Sequence, residues 1–187
     1  MRKMLVMCAV ALTLLAAMIG IGWAAARSGG TFNFVVPYGG DVFSLDPHRT
    51  SNTNDHIVTI NIHRSLYRWD DENNRPKLEL GDKVEVSADG LLYKIALKKG
   101  VKFHNGRQMT ADDILWSYER IMNAKTASPS ARFVRVIKGA KDFEDGKAPK
   151  IAGLRKIDDF TLEESMDRPV DPAYTLYEGG TAILPKE

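Results

Sequence analysis

An α/β fold with a mixed sheet, of the α+β kind, is predicted for this chain of 187 residues on three observations. Residues 84–97 alternate apolar and charged side chains around a Ser-Ala-Asp-Gly turn, the pattern of a hairpin with one buried face. Residues 110–122 carry the cap, staple and apolar spacing of an amphipathic helix. Strand-like and helix-like stretches alternate along the remainder, as in domains that lay helices on a sheet. The length fits one domain, or one domain and a piece of another. Apolar content of 44% beside 27% charged residues is that of a globular chain.

Residues 1–26 read as a signal peptide. Arg2 and Lys3 supply a positive start, residues 5–21 are apolar apart from Thr13, and Ala24, Ala25 and Ala26 offer a peptidase small side chains. The apolar run approaches the roughly 18 residues of a membrane span, so an uncleaved N-terminal anchor is the alternative. Cys8 lies inside this run, and a chain starting after it has no disulfide or thiolate chemistry. Removing residues 1–26 leaves 24 basic against 24 acidic residues. That neutrality gives no footprint for nucleic acid or anionic lipid and sets those partners aside.

The elements follow in order. Residues 31–37, rich in aromatic and β-branched side chains, predict a first strand. Gly39 and Gly40 break it, and Pro47 stiffens a turn at Leu45-Asp46-Pro47. Asn52 to Asp55 offer N-caps for a helix running to Tyr67, with Ile57, Ile60 and Leu66 marking its apolar face. Residues 70–76 (DDENNRP) read as polar turn material. In the hairpin, Tyr93, Ile95 and Leu97 share one face, and Gly90 takes the position needing positive φ.

Gly100 turns the chain into a short strand at 101–103. Thr110 with Asp113 has the form of a capping box, and Met109 with Ile114 the form of a hydrophobic staple. Ile114, Leu115, Tyr118, Ile121 and Met122 then form the face that packs on the sheet, with Trp116 at or near the core. Past a linker holding Pro129, residues 132–138 are apolar enough to pack and 139–146 predict a short helix. Strands are expected near 151–156 and 160–165, and a last helix opens at Asp171-Pro172 and stops at Gly179-Gly180.

No nucleophile elbow, metal motif or phosphate-binding glycine loop is present, so no catalytic residue and no cofactor is assigned and an enzyme is disfavoured. Asp112 and Asp113 are explained by helix capping. His48, His56 and His63 lack the spacing and the third partner of a metal site, so hydrogen-bonded or surface histidine is expected and no metal is assigned.

With these residues in place, the chain resembles the N-terminal part of the family 5 solute-binding proteins, the peptide- and nickel-type receptors of ABC importers. The matching pieces are SLDPH at 44–48, the helix ending SLYRWD at 65–70, the long run at 84–123 (VEVSADGLLYKIALKKGVKFHNGRQMTADDILWSYERIMN), IKGAKDFEDGKA at 137–148 and the terminal ILPKE. His104 falls in the family's V-x-F-x-x-G loop, where a structural role is expected. The chain departs from the family at Val84, where tryptophan is usual. It also departs at 78–81, and at Glu163, Glu164 and Met166, where alternating apolar residues are normal.

The resemblance implies a type II-like periplasmic binding protein, with residues 27–187 as the incomplete first lobe and its small attached subdomain. The second lobe and the return strands of the first are absent. It implies a secreted, periplasmic or extracytoplasmic receptor closing two lobes around a solute and presenting it to a membrane permease. The expected ligand is a peptide, with nickel, a metal chelate, a sugar or an opine as alternatives. A stand-alone extracytoplasmic structural or interaction module is the alternative outside the family.

Candidate ligand-binding residues are Tyr38 and the loop residues Asn52, Thr53, Asn54 and Asp55. They open a helix where backbone N–H groups and short polar side chains can face a cleft, and the family lines its pocket in this neighbourhood. Tyr174 and Tyr177 are added because the family has a second cleft-facing segment there, and aromatics could sandwich a peptide backbone.

Overall fold

The computed structural model describes residues 29–31, 33 and 40–187. The expected signal peptide and Tyr38 lie outside the described residues, as does nearly all of the strand expected at 31–37.

Helix α1 (Thr53–Ile62) opens on Asn52, whose side chain accepts from the Asn54 N–H at 2.8 Å, an N-cap as the composition predicts. It stops earlier than expected, at an extended His63. The SLYRWD run is therefore not a helix end. Tyr67–Asp70 is strand β1, paired antiparallel with β2 (Arg75–Leu78) in a two-stranded ribbon. Aromatic residues at alternate positions favour a pleated surface over a helix, and Tyr67 opposes Leu78 while Trp69 opposes Pro76.

Pro76, expected in a turn, thus sits inside a strand. The Glu79 N–H donates to the Leu66 carbonyl. Antiparallel alternation then puts Pro76 at a non-hydrogen-bonded position, its ring nitrogen directed away from β1. A proline is tolerated there because no donor is missed.

The second sheet holds β3 (Gly81–Val86), β4 (Leu92–Leu97), β5 (Leu154–Asp158) and β6 (Thr161–Ser165) in the order β3-β4-β6-β5, each neighbouring pair antiparallel. The β3–β4 turn places Gly90 at φ +69°, where a side chain is strained. Tyr93, Ile95 and Leu97 are buried on one face, as the alternation predicts. The short strand expected at 101–103 reduces to a single bridge between Lys102 and Gln108.

Helix α2 (Ala111–Met122) buries Ile114, Tyr118, Ile121 and Met122 in one apolar cluster with Tyr93, Ile95, Leu97 and Leu162 of the sheet. Each such side chain withdrawn from water contributes on the order of 1.5–3 kcal/mol. Met109 and Ile114, the staple pair, are both buried. Trp116 is half-buried, with the Arg120 guanidinium 5.9 Å from its ring. Three short helices, α3 (Ala131–Val134), α4 (Ala140–Glu144) and α5 (Ala173–Leu176), and a 3-10 turn at Gly179–Thr181 complete the described elements. The final segment is extended and bonded to what precedes it. The Ile183 N–H donates to the Arg64 carbonyl at 2.8 Å, and the Leu184 N–H to Ser117 Oγ at 2.9 Å.

Asp113 joins three parts of this arrangement. Its Oδ2 accepts the Thr110 N–H at 2.9 Å, completing the acidic half of the predicted capping box. Arg107 grips both its oxygens at 2.7 and 3.0 Å, and the Lys186 N–H reaches it at 3.3 Å. The carboxylate is 1% exposed, so removing it leaves two backbone donors unpaired and takes from Arg107 its buried partner, leaving it the Glu187 carboxylate and the Gln108 carbonyl. Asp113→Ala is expected to cost about 3 kcal/mol, read as a lowered urea midpoint. Thr110→Ala, which leaves the backbone N–H bond intact, should cost under about 1 kcal/mol.

Candidate functional site

The residues singled out near the start of α1 fall into a network that holds a strap of chain. Asp55 accepts the Phe43 N–H at 2.7 Å and the Thr50 hydroxyl at 2.6 Å. The Asn54 amide donates to the Gly40 carbonyl at 3.0 Å. Asn54, Asp55 and Thr59 are the buried residues of α1, while Ile60 is 55% exposed and Ile62 is exposed too. The expected apolar face of this helix is thus replaced by a polar one, because the segment it packs on presents backbone groups that need partners. The Thr50 hydroxyl, against the opposing effect of burial, and the Phe43 and Ser44 N–H groups hold Asp55 below its ordinary pKa. Asn52 and Thr53 remain exposed at the helix entrance.

These anchors leave the strap bare. Val42, Phe43 and Leu45 are exposed apolar residues in succession, Phe43 at 76%. Bonds to Asp55, to Ser44 Oγ at Asp46 N–H, and from His63 Nε2 to the Leu45 carbonyl fix its path. Sequence reasoning missed these side chains, since loop hydrophobics without period give no signal.

Behind the strap lies a second network. Arg120 of α2 donates to both Asp46 oxygens at 3.0 and 2.6 Å and to His48 Nδ1 at 2.8 Å. His48 Nε2 lies 2.7 Å from the Ala182 carbonyl and must donate to it. The ring is therefore neutral, with its proton on Nε2. It is fully buried, and burial first, then the Arg120 charge, lowers its pKa from 6.5 to about 4 despite the opposing Ala182 bond. Burial would raise Asp46, but bonds from Arg120 and the His48 N–H outweigh it and hold it low.

Tyr177 and Tyr174 diverge. Tyr177 packs on Trp69 with ring centroids 5.3 Å apart, while Tyr174 is 55% exposed. Of the described residues expected at a ligand site, Tyr177 alone lines the large concavity of about 2130 Å³. Its floor includes Tyr67, Leu80, Leu97, Met109 and Ile183, and charged residues such as Arg64, Glu79, Lys98 and Asp159 stand around it. Small-ligand pockets run to about 300–1,000 Å³, so a space this large suits a protein surface better than a solute. Among the described residues no group of three or more His, Cys, Asp or Glu is placed to hold a metal ion.

Comparison with known proteins gives these features a family. Residues 75–186 match the bacterial extracellular solute-binding proteins, family 5 Middle, and the chain belongs to that family of solute-binding proteins. It is 30% identical over 155 residues to the periplasmic oligopeptide-binding protein OppA of Escherichia coli, covering 79% of this chain and 28% of that one. It is 35% identical over 108 residues to the dipeptide-binding protein of Lactococcus lactis subsp. cremoris, covering 58% of this chain and 20% of the other. The structure superposes on peptide-bound OppA of Listeria monocytogenes with a TM-score of 0.70 and 26% identity, over 76% of this chain and 28% of that one. The chain thus has the mixed α/β architecture of part of a periplasmic binding protein, and spans less than a third of the length of these relatives.

The His48 geometry sets a pH dependence. Its folded pKa of about 4 lies below the unfolded value of 6.5. Between these values the unfolded chain binds the extra proton, so stability falls as pH is lowered from about 6.5 to 4 and then levels off for this group. The expected loss is about 3 kcal/mol. His48→Gln, which keeps an amide able to bridge Arg120 and Ala182, should remove most of that slope in urea titrations across this range.

Proposed function

We propose that the chain is part of the first lobe of an extracytoplasmic solute receptor that delivers peptides to an ABC importer. The observation that carries this reading is the family match over residues 75–186, joined to relatives named for oligopeptide and dipeptide binding. The sequence of residues 1–26 supports export, with cleavage after the alanines and anchorage as the alternative outcome. No step of this role calls for catalysis.

In this reading the strap at 42–45 faces the ligand. Asn52, Thr53, Asn54 and Asp55 act behind it as its frame, Tyr174 extends the contact surface, and Tyr38 stays a candidate on the sequence alone. An exposed apolar strap with a fixed backbone suits a solute whose side chains vary, because backbone groups supply common anchors. Other ligands are outcomes of the same test. One relative is named a probable deoxycholate-binding periplasmic protein, at 26% identity over 148 residues, and nickel, chelates, sugars and opines belong to the same screen. The concavity lined by Tyr177 is read as the seat of further lobe structure, because the relatives are more than three times as long as the matched region.

Calorimetric titration of the whole protein with a mixed-length peptide set is expected to give binding. Residues 27–187 alone should bind at least a hundredfold more weakly, unfold with poor cooperativity and take up an apolar dye. Micromolar peptide binding by residues 27–187 would overturn the division of the site between this portion and the rest. Binding of nickel or deoxycholate in place of peptide would overturn the ligand class. Cooperative two-state unfolding of residues 27–187 without dye uptake favours the stand-alone module.

A further inference from the structure

Neighbouring glutamates on β6 have opposite fates. Glu163 lies on the outer face, where Arg155 pairs with it and Lys94 stands opposite in the register. Glu164 points to the inner face, opposite Tyr93 of β4 and Leu154 of β5. It is 0% exposed, and neither of its carboxyl oxygens has a hydrogen-bond partner.

The groups around it offer no positive charge. Tyr118 comes from α2 and Tyr67 from β1, both with buried hydroxyls that lack partners and both raised in pKa by burial and by Glu164. Tyr93 is raised by burial and by Asp171, the exposed acid ahead of α5, and by Glu164. No lysine, arginine or histidine pairs with Glu164 among the described residues, although the adjoining strand β5 supplies Arg155 to its neighbour Glu163 one residue earlier. An isolated carboxylate in an apolar interior costs far more than a neutral acid, so the group holds a proton. Burial alone raises its pKa to about 8.

We propose that Glu164 is a proton-held residue whose ionisation loosens the docking of α2 on the sheet, so that this part of the protein is tighter in acid and looser in alkali near neutrality. The neutral acid is buried on the inner face of the sheet, near enough to Tyr118 of α2 and Tyr67 of β1 for its charge to act on both. Ionisation puts an unpaired charge there, and the interface must open to admit water or a counter-ion.

The sign follows from linkage. The folded pKa of about 8 exceeds the unfolded 4.5, so the folded state binds more protons between them. Stability is fully present below about 4.5 and declines as pH rises through about 8. His48 acts in the opposite sense, but its slope fades above its unfolded pKa of 6.5 and is nearly gone about one pH unit higher, so the remaining range up to about 8 reads Glu164.

The test uses the full chain. Urea unfolding at intervals from pH 6.5 to 8 is expected to show the folding constant falling by up to roughly tenfold per pH unit. Glu164→Gln should flatten this slope, while His48→Gln leaves it. Should Glu164→Gln fail to fold, the carboxyl carbon of Glu164 in the unsubstituted chain, assigned by NMR through-bond connectivity, decides the matter. A midpoint near 8, with faster amide exchange across 114–122 above it, supports the proposal. A midpoint in the ordinary glutamate range, or a slope that persists in Glu164→Gln, overturns it.

Discussion

Arg120 is the tie on which most of the described arrangement depends. Its guanidinium gives Asp46 two bonds and His48 one, and His48 passes the connection on to the Ala182 carbonyl. One side chain on α2 thereby fixes the loop ahead of α1 and the extended segment after the 3-10 turn. A planar donor fork suits this task because it satisfies a carboxylate and a ring nitrogen at once without changing shape. Were it a lysine, one of those acceptors would go unserved.

This tie explains why the SLDPH run is placed as it is. Asp46 and His48 act as the acceptor pair for a helix more than seventy residues later, and Pro47 between them holds the spacing. This is the stretch where the sequence says most while showing least, because its partners are far apart along the chain.

Local grammar was legible and long-range polar pairing was not. The hairpin at β3 and β4, the cap at Thr110 and the staple at Met109 and Ile114 each depend on residues within a few positions, and each forms where the sequence predicts. Helix α1 misled for the converse reason. Its isoleucines suggested an inward apolar face, yet Asp55, Asn54 and Thr59 turn inward because the strap at 40–50 must be bonded from that side. Tyr67 and Trp69 were read as helical, but pairing with β2 gives them a pleated surface. The same limit applies to the site. Tyr177 emerges on a concavity while Tyr174, only three positions earlier, is exposed away from it, a divergence that no single position announces.

Pro76 carries a consequence beyond its own strand. With its nitrogen turned outward, the side of β2 away from β1, unpaired among the described residues, lacks a donor at the position opposite Trp69. A stray extended peptide aligning along that side would meet a carbonyl and a ring where it needs an N–H, and its ladder would break at the centre. Such a blocked edge keeps an extended segment from adding itself to the ribbon as a further strand.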